Sequence, residues 1–233
     1  MTTVPIDIAR EVAASECAAA GVMLVTPDSP SLLRSAAYLS VAALTPLTVA
    51  EARERVSLYV PSLVSDVAAL IAGVTSLAPM LDKPAVIVGE RAWSDGNVLA
   101  GVIGHELGHR RRDVATRGAC GVVCSALWGV TYLAHPGVRL WEEGTCMTSD
   151  VTAAVILRDL APDAAADEAQ RALRSIYSAD PASLAIGGDA IESCAASLRA
   201  GTLHGKGTAI ESVLRALVAR GWMPSPRWAK VLA

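Results

Sequence analysis

The sequence predicts a mainly α fold with a small β element, an α+β domain. The chain has 233 residues, of which 52% are apolar and only 18% charged, whereas about a quarter of the residues in a typical soluble domain are charged. Much of the apolar content is alanine and valine, and phenylalanine is absent. Small side chains of this kind suit closely packed helices. A short β-branched run at 84–89 is the exception, and it supplies the β element.

Helices dominate the prediction for the first eighty residues. Four segments there are expected to be helical: 6–20, 31–44, 48–59 and 61–77. The third opens with Thr48, and Glu51 follows three residues later, which is the capping-box pattern of a helix start. The run Pro84–Gly89, PAVIVG, comes next and is predicted to be a strand.

The next helix carries the motif that points to chemistry. Its sequence from Val98 to Asp113 is VLAGVIGHELGHRRRD, an H-E-x-x-H match. His105 and His109 stand four residues apart, so they share one helix face and can present two imidazole nitrogens to one metal ion. Glu106 points to the side of that face, where it can reach a metal-bound water but is poorly placed to ligate the metal. Three fixed residues also occur by coincidence, but the apolar helical spacing around them favours a metal site.

Two further features of this helix lead to expectations. Three glycines recur on it although each costs about 1 kcal/mol relative to alanine, and they predict close approach of another backbone or of a substrate: Gly101, Gly104 and Gly108. The run Arg110–Arg112 is the densest basic cluster of the chain. It is expected to form the solvated last turn of the motif helix, where cations suit the helix dipole.

An uncharged segment follows at 118–135, apart from its terminal histidine. It is predicted to be a buried or hairpin-like helical segment, because glycine, serine and threonine make it less apolar than a typical membrane span. Membrane association through this segment is the alternative. Pro136 and Gly137 then break the chain before a helix predicted over 138–160.

The predicted helix at 138–160 supplies the candidates for a third metal ligand. Glu143, Cys146 and Asp150 fall on one face, and Glu143 is the preferred ligand, with Asp150 as an acceptor that orients a ligating histidine. Glu142 is the second choice, because a modest rotation of the helix would exchange it with Glu143. Asp150 as a direct ligand comes third and Cys146 fourth. Both glutamates could instead be surface charges in the first turns of a helix.

These residues resemble a known family. HELGHRRRD, followed by an apolar segment and a helix with Glu and Asp, resembles the zincin metallopeptidases, specifically the gluzincin branch, over 85–157. The resemblance implies a compact zincin-like metallopeptidase domain with flanking helices. It also implies His105 and His109 as zinc ligands, Glu106 as catalytic base and a downstream glutamate as third ligand. The chain then divides into an N-terminal helical region, a zincin-like catalytic core and a C-terminal helical region, together one compact domain: 1–80, 81–161 and 162–233.

The resemblance has two departures and one further implication. The usual Glu-x-x-x-Asp spacing is absent, because Cys146 stands four residues before Asp150. The metzincin pattern is also missing: Arg112 stands three residues after His109, and no histidine follows at the required distance. In zinc peptidases of this kind an edge strand beside the metal pairs with the extended substrate. The run at 84–89 is either that edge strand or simply a buried one.

The expected function is a zinc-dependent metallopeptidase acting on a peptide or protein. Zn²⁺ with three protein ligands lowers the pKa of its bound water to about 7, and Glu106 would take the proton and pass it to the leaving amine. Four residues are candidates to stabilise the oxyanion: Tyr132, His135, Arg139 and His204. The alternative is a catalytically inactive protein that retains the zincin fold for assembly or binding.

Composition bounds the other classes of function. The net charge of −3 gives no indication of a general nucleic-acid binder. Five scattered cysteines do not form a disulfide framework, which favours a reducing compartment. The N-terminus lacks the basic-then-apolar layout of a secretory signal. We therefore expect a cytoplasmic location, with membrane association as the alternative.

Overall fold

The computed structural model describes residues 3–29, 32–44, 46–61, 83–177, 181–204 and 208–233. Within these ranges the chain is mainly helical with one small sheet, which confirms the predicted class. The helices are α1 Ile6–Ala19, α2 Leu32–Leu44, α3 Val49–Arg55, α4 Glu90–Trp93, α5 Gly96–Ala134, α6 Pro136–Leu157, α7 Pro162–Tyr177, α8 Pro181–Arg199, α9 Ala209–Ala219 and α10 Pro226–Leu232. The strands are β1 Met23–Val25, β2 Leu58–Val60 and β3 Ala85–Ile87.

The sheet has the order β1-β3-β2, with β3 parallel to β1 and antiparallel to β2. The predicted strand at 84–89 is confirmed as β3, and its three residues are fully buried. Because β3 is the middle strand, its backbone is paired on both sides. Its interpretation as an edge strand that pairs with a substrate is therefore wrong, and core burial accounts for the β-branched run.

The N-terminal helices agree with prediction in three places and differ in one. Helices α1 and α2 match the predicted segments, and Thr48 and Glu51 form the capping box that starts α3. However, α3 ends at Arg55, and the chain then forms β2 instead of continuing as helix to Tyr59. Pairing of β2 with β3 overrides the local helical preference. Nearly all of the predicted helix at 61–77 lies outside the described residues.

Helices α5 and α6 form an antiparallel pair at the centre of the molecule. Two contacts show how the helices are aligned. Gly101 of α5 lies opposite Ala153 of α6, and Arg112 of α5 pairs with Glu142 of α6. The largest cluster of buried apolar side chains joins this pair to the surrounding helices, with members such as Val12 of α1, Leu99 of α5, Val155 of α6, Ile191 of α8 and Leu214 of α9. A smaller cluster lies between the sheet, α2 and α3.

Glycines allow the close contacts of this helical core. A Cβ on Gly104 would lie 2.7 Å from Cδ1 of Ile210 and 3.0 Å from its Cα. Glycine therefore lets α9 approach α5 at van der Waals distance. In the same way a Cβ on Gly144 of α6 would overlap the backbone of Gly187 on α8. The predicted close approach at Gly104 is thus made by the protein's own helices.

Helix α5 is not straight, as contacts from its two parts to one carboxylate show. Tyr132 follows His105 by 27 residues, which corresponds to about 40 Å along a straight helix. Yet the Tyr132 hydroxyl donates a hydrogen bond to Oε1 of Glu143, and Oε2 of the same carboxylate lies 3.4 Å from Nε2 of His105. Two side chains and one carboxylate cannot span 40 Å. Helix α5 must therefore bend back between the two residues.

The bend lies between Arg112, which still follows the antiparallel register with α6, and Trp128, whose ring packs on Trp141 near the start of α6. We call residues 118–134, the last part of α5, the arm. Its helical, folded-back course agrees with the predicted hairpin-like segment, but Leu127 is 61% exposed, so the arm is not simply buried. None of the helices among the described residues is long and apolar enough to cross a membrane.

The expectation that Arg110–Arg112 ends the motif helix is wrong. Helix α5 continues to Ala134, and two of the three arginines are bound within the fold. Arg112 pairs with Glu142 at 2.9 Å and Arg110 with Asp113 at 3.2 Å. Because these carboxylates balance the charge, the arginines do not have to mark a solvated helix end.

Candidate metal centre

Helix α5 is rotated so that its two motif histidines face α6. Asp95 caps its start, accepting hydrogen bonds from the backbone N–H of Asn97 and of Val98. On the side away from α6, three apolar residues spaced four apart are buried in the core: Leu99, Ile103 and Leu107. This apolar stripe fixes the rotation of the helix, and the opposite face, with His105 and His109, lies against α6.

The two histidines and Glu143 bring three ligand atoms together. Nε2 of His105 lies 3.2 Å from Nε2 of His109, and Oε2 of Glu143 lies 3.4 Å and 3.7 Å from these two atoms. Zinc bonds of about 2.0–2.1 Å in a tetrahedron hold ligand atoms about 3.4 Å apart. The triangle therefore has the size that one ion would need, and these three residues could hold a metal ion.

The other nitrogen of each imidazole faces a carboxylate. Nδ1 of His105 lies 2.8 Å from Oδ2 of Asp150, and Nδ1 of His109 lies 3.1 Å from Oε1 of Glu142. With the proton on Nδ1, each ring donates to its carboxylate and turns the lone pair of Nε2 toward the ligand triangle. Asp150 thus stands where the sequence predicted an orienting acceptor, while Glu142 contacts the far nitrogen of His109 and lies outside the triangle.

A second group could also hold an ion, and it shares His109. Sγ of Cys146 lies 3.4 Å from Nδ1 of His109 and 4.0 Å from Oε1 of Glu142. However, the guanidinium of Arg112 donates to Oε2 of Glu142 at 2.9 Å. This cation already balances the charge of Glu142 and repels a second cation beside it. The triangle with Glu143 is therefore the better metal site.

Charges determine the protonation of the three ligand residues. Burial opposes protonation of both imidazoles, but neighbouring charges dominate and raise each pKa well above 6.5. Asp150 contributes most at His105, and Cys146 and Glu143 contribute most at His109. Burial disfavours the charged form of Glu143, yet the two histidines hold its pKa well below the usual value. The site thus favours carboxylate anions around a positive centre, which protons or a metal ion can supply.

Glu106 lies beside this cluster and outside the ligand triangle. Glu106 is buried, with only 5% of the residue's surface exposed. Burial raises the pKa of Glu106, and the charges of His105 and His109 oppose that rise. A buried carboxyl group with a raised pKa can hold a proton near neutral pH more readily than an exposed one.

Of the four candidates for an oxyanion donor, Tyr132 contacts the ligand triangle, through the second oxygen of Glu143. His135 instead caps the start of α6, where its ring accepts from the backbone N–H of Val138. Arg139 donates to the backbone oxygen of Tyr132. His204 contacts Ser197 of α8, and no described contact joins it to the triangle.

A polar network one turn beyond His109 was not predicted from the sequence. The hydroxyl of Tyr59 on β2 donates to Oδ2 of Asp113 at 2.8 Å. Arg110 and Arg117 pair with the same carboxylate. Burial raises the pKa of Tyr59, so its hydroxyl remains a donor throughout the physiological range. This network ties the edge strand β2 to α5 without entering the ligand triangle.

The described cysteines are free thiols. Cys17, Cys146 and Cys194 are all buried and none is in a disulfide. Burial raises the pKa of the Cys194 thiol to about 11, which makes it unreactive at neutral pH.

Comparison of the chain with protein-family models, with curated protein sequences and with solved structures finds no match. Its function is therefore inferred from the geometry of its own residues.

Proposed function

We propose that this protein is a zinc-dependent metallopeptidase of the zincin type, acting on a peptide or protein substrate. The observation that carries the proposal is the triangle formed by Nε2 of His105, Nε2 of His109 and Oε2 of Glu143, with edges of 3.2, 3.4 and 3.7 Å. Glu106 stands next to His105 in the chain and is buried beside the triangle without belonging to it. Two histidines, a carboxylate ligand and a nearby acid are the residue types that metal-assisted peptide hydrolysis uses.

The donor set favours zinc among the common divalent metals. Two imidazole nitrogens and one carboxylate oxygen suit zinc, whereas Mg²⁺ and Ca²⁺ prefer sites built from oxygen alone. Three protein ligands leave a fourth tetrahedral position for water or substrate, which distinguishes catalytic zinc sites from closed structural ones. The two outer carboxylates, Asp150 and Glu142, fix the ring orientation that such a site needs.

The protein's part in the reaction follows from these positions. Zinc held by the triangle would supply a water whose pKa is about 7 and would polarise the scissile carbonyl. His105, His109 and Glu143 would hold the ion in place. Glu106 would accept a proton from the attacking water and donate it to the leaving amine, a role that suits a buried carboxyl group whose pKa is raised by burial.

The second candidate is a zincin-fold protein that binds metal but does not catalyse hydrolysis. The low exposure of the ligands favours it, since the side chains of His105 and His109 are 12% and 13% exposed. However, a purely structural ion would not need a buried acid at Glu106, and burying a carboxyl group costs free energy that a structural site could avoid. The peptidase is therefore the better proposal.

Metal analysis combined with a peptide-library assay tests the proposal. The purified protein should contain about one zinc per chain, cleave part of a mixed peptide library, lose cleavage on chelation and regain it with zinc. Protein that takes up no zinc contradicts both candidates. Protein that binds zinc but cleaves no peptide in the library supports the second candidate over the first.

A further inference from the structure

The two oxygens of Glu143 have different partners. Oε2 faces the Nε2 atoms of His105 and His109, while Oε1 accepts a hydrogen bond from the hydroxyl of Tyr132. The side chain of Glu143 is only 5% exposed, so water has little access to replace the tyrosine. One oxygen is therefore turned toward the metal position and the other is held from outside.

Because α5 bends back, Tyr132 and Glu143 meet next to His105. The arm that carries it is tied to the start of α6 by two further contacts. Trp128 packs edge to face on Trp141, with ring centroids 5.8 Å apart. Nε of Arg139 donates to the backbone oxygen of Tyr132 at 3.3 Å. Together these contacts hold the tyrosine hydroxyl beside Glu143, although Tyr132 follows His105 by 27 residues on the same helix.

We infer that Tyr132 is a positioning residue for the third metal ligand and that docking of the arm completes the metal site. The inference rests on the proposed metal site at His105, His109 and Glu143. By holding Oε1, Tyr132 keeps the carboxylate in one rotamer and presents Oε2 alone to the ion. A hydrogen bond to an ionised acceptor is stronger than a neutral one, and partners of this kind typically account for 10–100-fold in metal affinity.

The coupling works in both directions. If docking of Tyr132 strengthens metal binding, then metal binding must stabilise the docked arm by the same factor. Backbone amides of the arm should therefore exchange more slowly when the protein is loaded with zinc. This effect should disappear when the tyrosine hydroxyl is removed, because the arm and the ligand would then no longer share a hydrogen bond.

The test compares Tyr132→Phe with Tyr59→Phe. The two variants are matched, since each removes one tyrosine hydroxyl that donates to a buried carboxylate, Glu143 in one and Asp113 in the other. Tyr132→Phe should bind zinc about 10–100-fold more weakly in competition with a chromophoric chelator. It should also change the visible absorption spectrum of the cobalt-substituted protein. Tyr59→Phe should leave affinity and spectrum at wild-type values.

Amide exchange followed by mass spectrometry completes the test. Zinc should slow exchange in the arm of the wild type and of Tyr59→Phe but not of Tyr132→Phe. Wild-type affinity, cobalt spectrum and arm protection in Tyr132→Phe would overturn the inference and leave the proposed function standing. Equal loss of affinity in both variants would also overturn it, because the effect would then be general. A wild type that binds neither zinc nor cobalt would overturn the proposed function itself.

Discussion

Nδ1 of His105 lies 2.8 Å from Oδ2 of Asp150, across the interface between α5 and α6. The two residues are 45 positions apart in the chain, so the antiparallel packing of the two helices creates the contact. It fixes which nitrogen of His105 faces the ligand triangle. The strength of the metal site should therefore depend on a residue that does not touch the ion.

Replacing Asp150 tests this dependence. Asp150→Ala should weaken zinc binding about 10–100-fold, because His105 loses the acceptor that orients its ring. Asp150→Asn should weaken binding less, since the amide oxygen can still accept from Nδ1. Chelator competition measures both constants. Equal affinity in the wild type and in Asp150→Ala would contradict the orienting role.

The adjacent glutamates form a second, internally controlled comparison. Glu143→Gln should reduce zinc affinity far more than Glu142→Gln, because only Glu143 has an oxygen in the ligand triangle. A neutral amide is a poor replacement for a carboxylate ligand of zinc. Glu142→Gln still offers an oxygen to His109 and should retain most of the binding. The reverse order of the two variants would assign the metal to the group with Cys146.

Glu106→Gln should separate catalysis from metal binding. Gln is nearly isosteric with Glu but cannot take up a proton, so hydrolysis should fall about 10²–10⁴-fold, the usual contribution of a general base. Zinc content should stay near that of the wild type, because Glu106 lies outside the ligand triangle. Full activity in Glu106→Gln would show that another group activates the water.

Zinc binding should release protons and should strengthen as pH rises. In the metal-free protein the pKa of each motif histidine is raised well above 6.5, because neighbouring charges outweigh burial. The imidazoles therefore keep protons at neutral pH that the metal must displace. Affinity should rise with pH until these histidines are deprotonated and should fall in acid.

Calorimetry in two buffers of different ionisation enthalpy measures this release directly. The apparent binding enthalpy should differ between the buffers at pH 7, by an amount proportional to the number of protons released. Identical enthalpies in both buffers would contradict the expected protonation of the metal-free site. Repeating the titration with Asp150→Asn should give a smaller release, because one of the charges that holds the proton on His105 is gone.

The packing of α9 on α5 gives a prediction about stability. Gly104→Ala should gain up to about 1 kcal/mol from helix propensity, but its Cβ would lie 3.0 Å from Cα of Ile210. Overpacking of this kind costs about 1–3 kcal/mol, so the net effect on the free energy of unfolding should be destabilising. Gly118→Ala on the same helix is the control, because no described atom lies within 4 Å of the added methyl group. Urea denaturation measures both, and a more stable Gly104→Ala would contradict the packing described.

Features that depend on local sequence patterns could be predicted, whereas features that depend on long-range contacts mostly could not. The four-residue spacing of His105 and His109 depends on helix geometry alone and needed no tertiary information. The preference for Glu143 over Glu142 depends on the rotation of α6, and the shared face of Glu143 and Asp150 indicates that rotation. The structure places Glu143 near both Nε2 atoms, and its role as a metal ligand stays a prediction. The end of α3 was predicted too late, because β2 owes its existence to pairing with β3, more than twenty residues further along the chain.

The bend in α5 is one feature that the sequence did not reveal. Without it, Tyr132 would lie about 40 Å from His105, and no sequence pattern indicates that both residues contact Glu143. Arg112 was assigned to a solvated helix end because its partner, Glu142, lies on another helix. Both contacts depend on how two helices pack, and no periodicity within one helix can report that.

Anomalous diffraction from zinc-loaded crystals at the zinc absorption edge would show directly whether His105, His109 and Glu143 hold one zinc ion. We expect one strong peak about 2.0–2.2 Å from Nε2 of both histidines and from Oε2 of Glu143. A peak at Nδ1 of His109 and Sγ of Cys146, or no peak between α5 and α6, would contradict it.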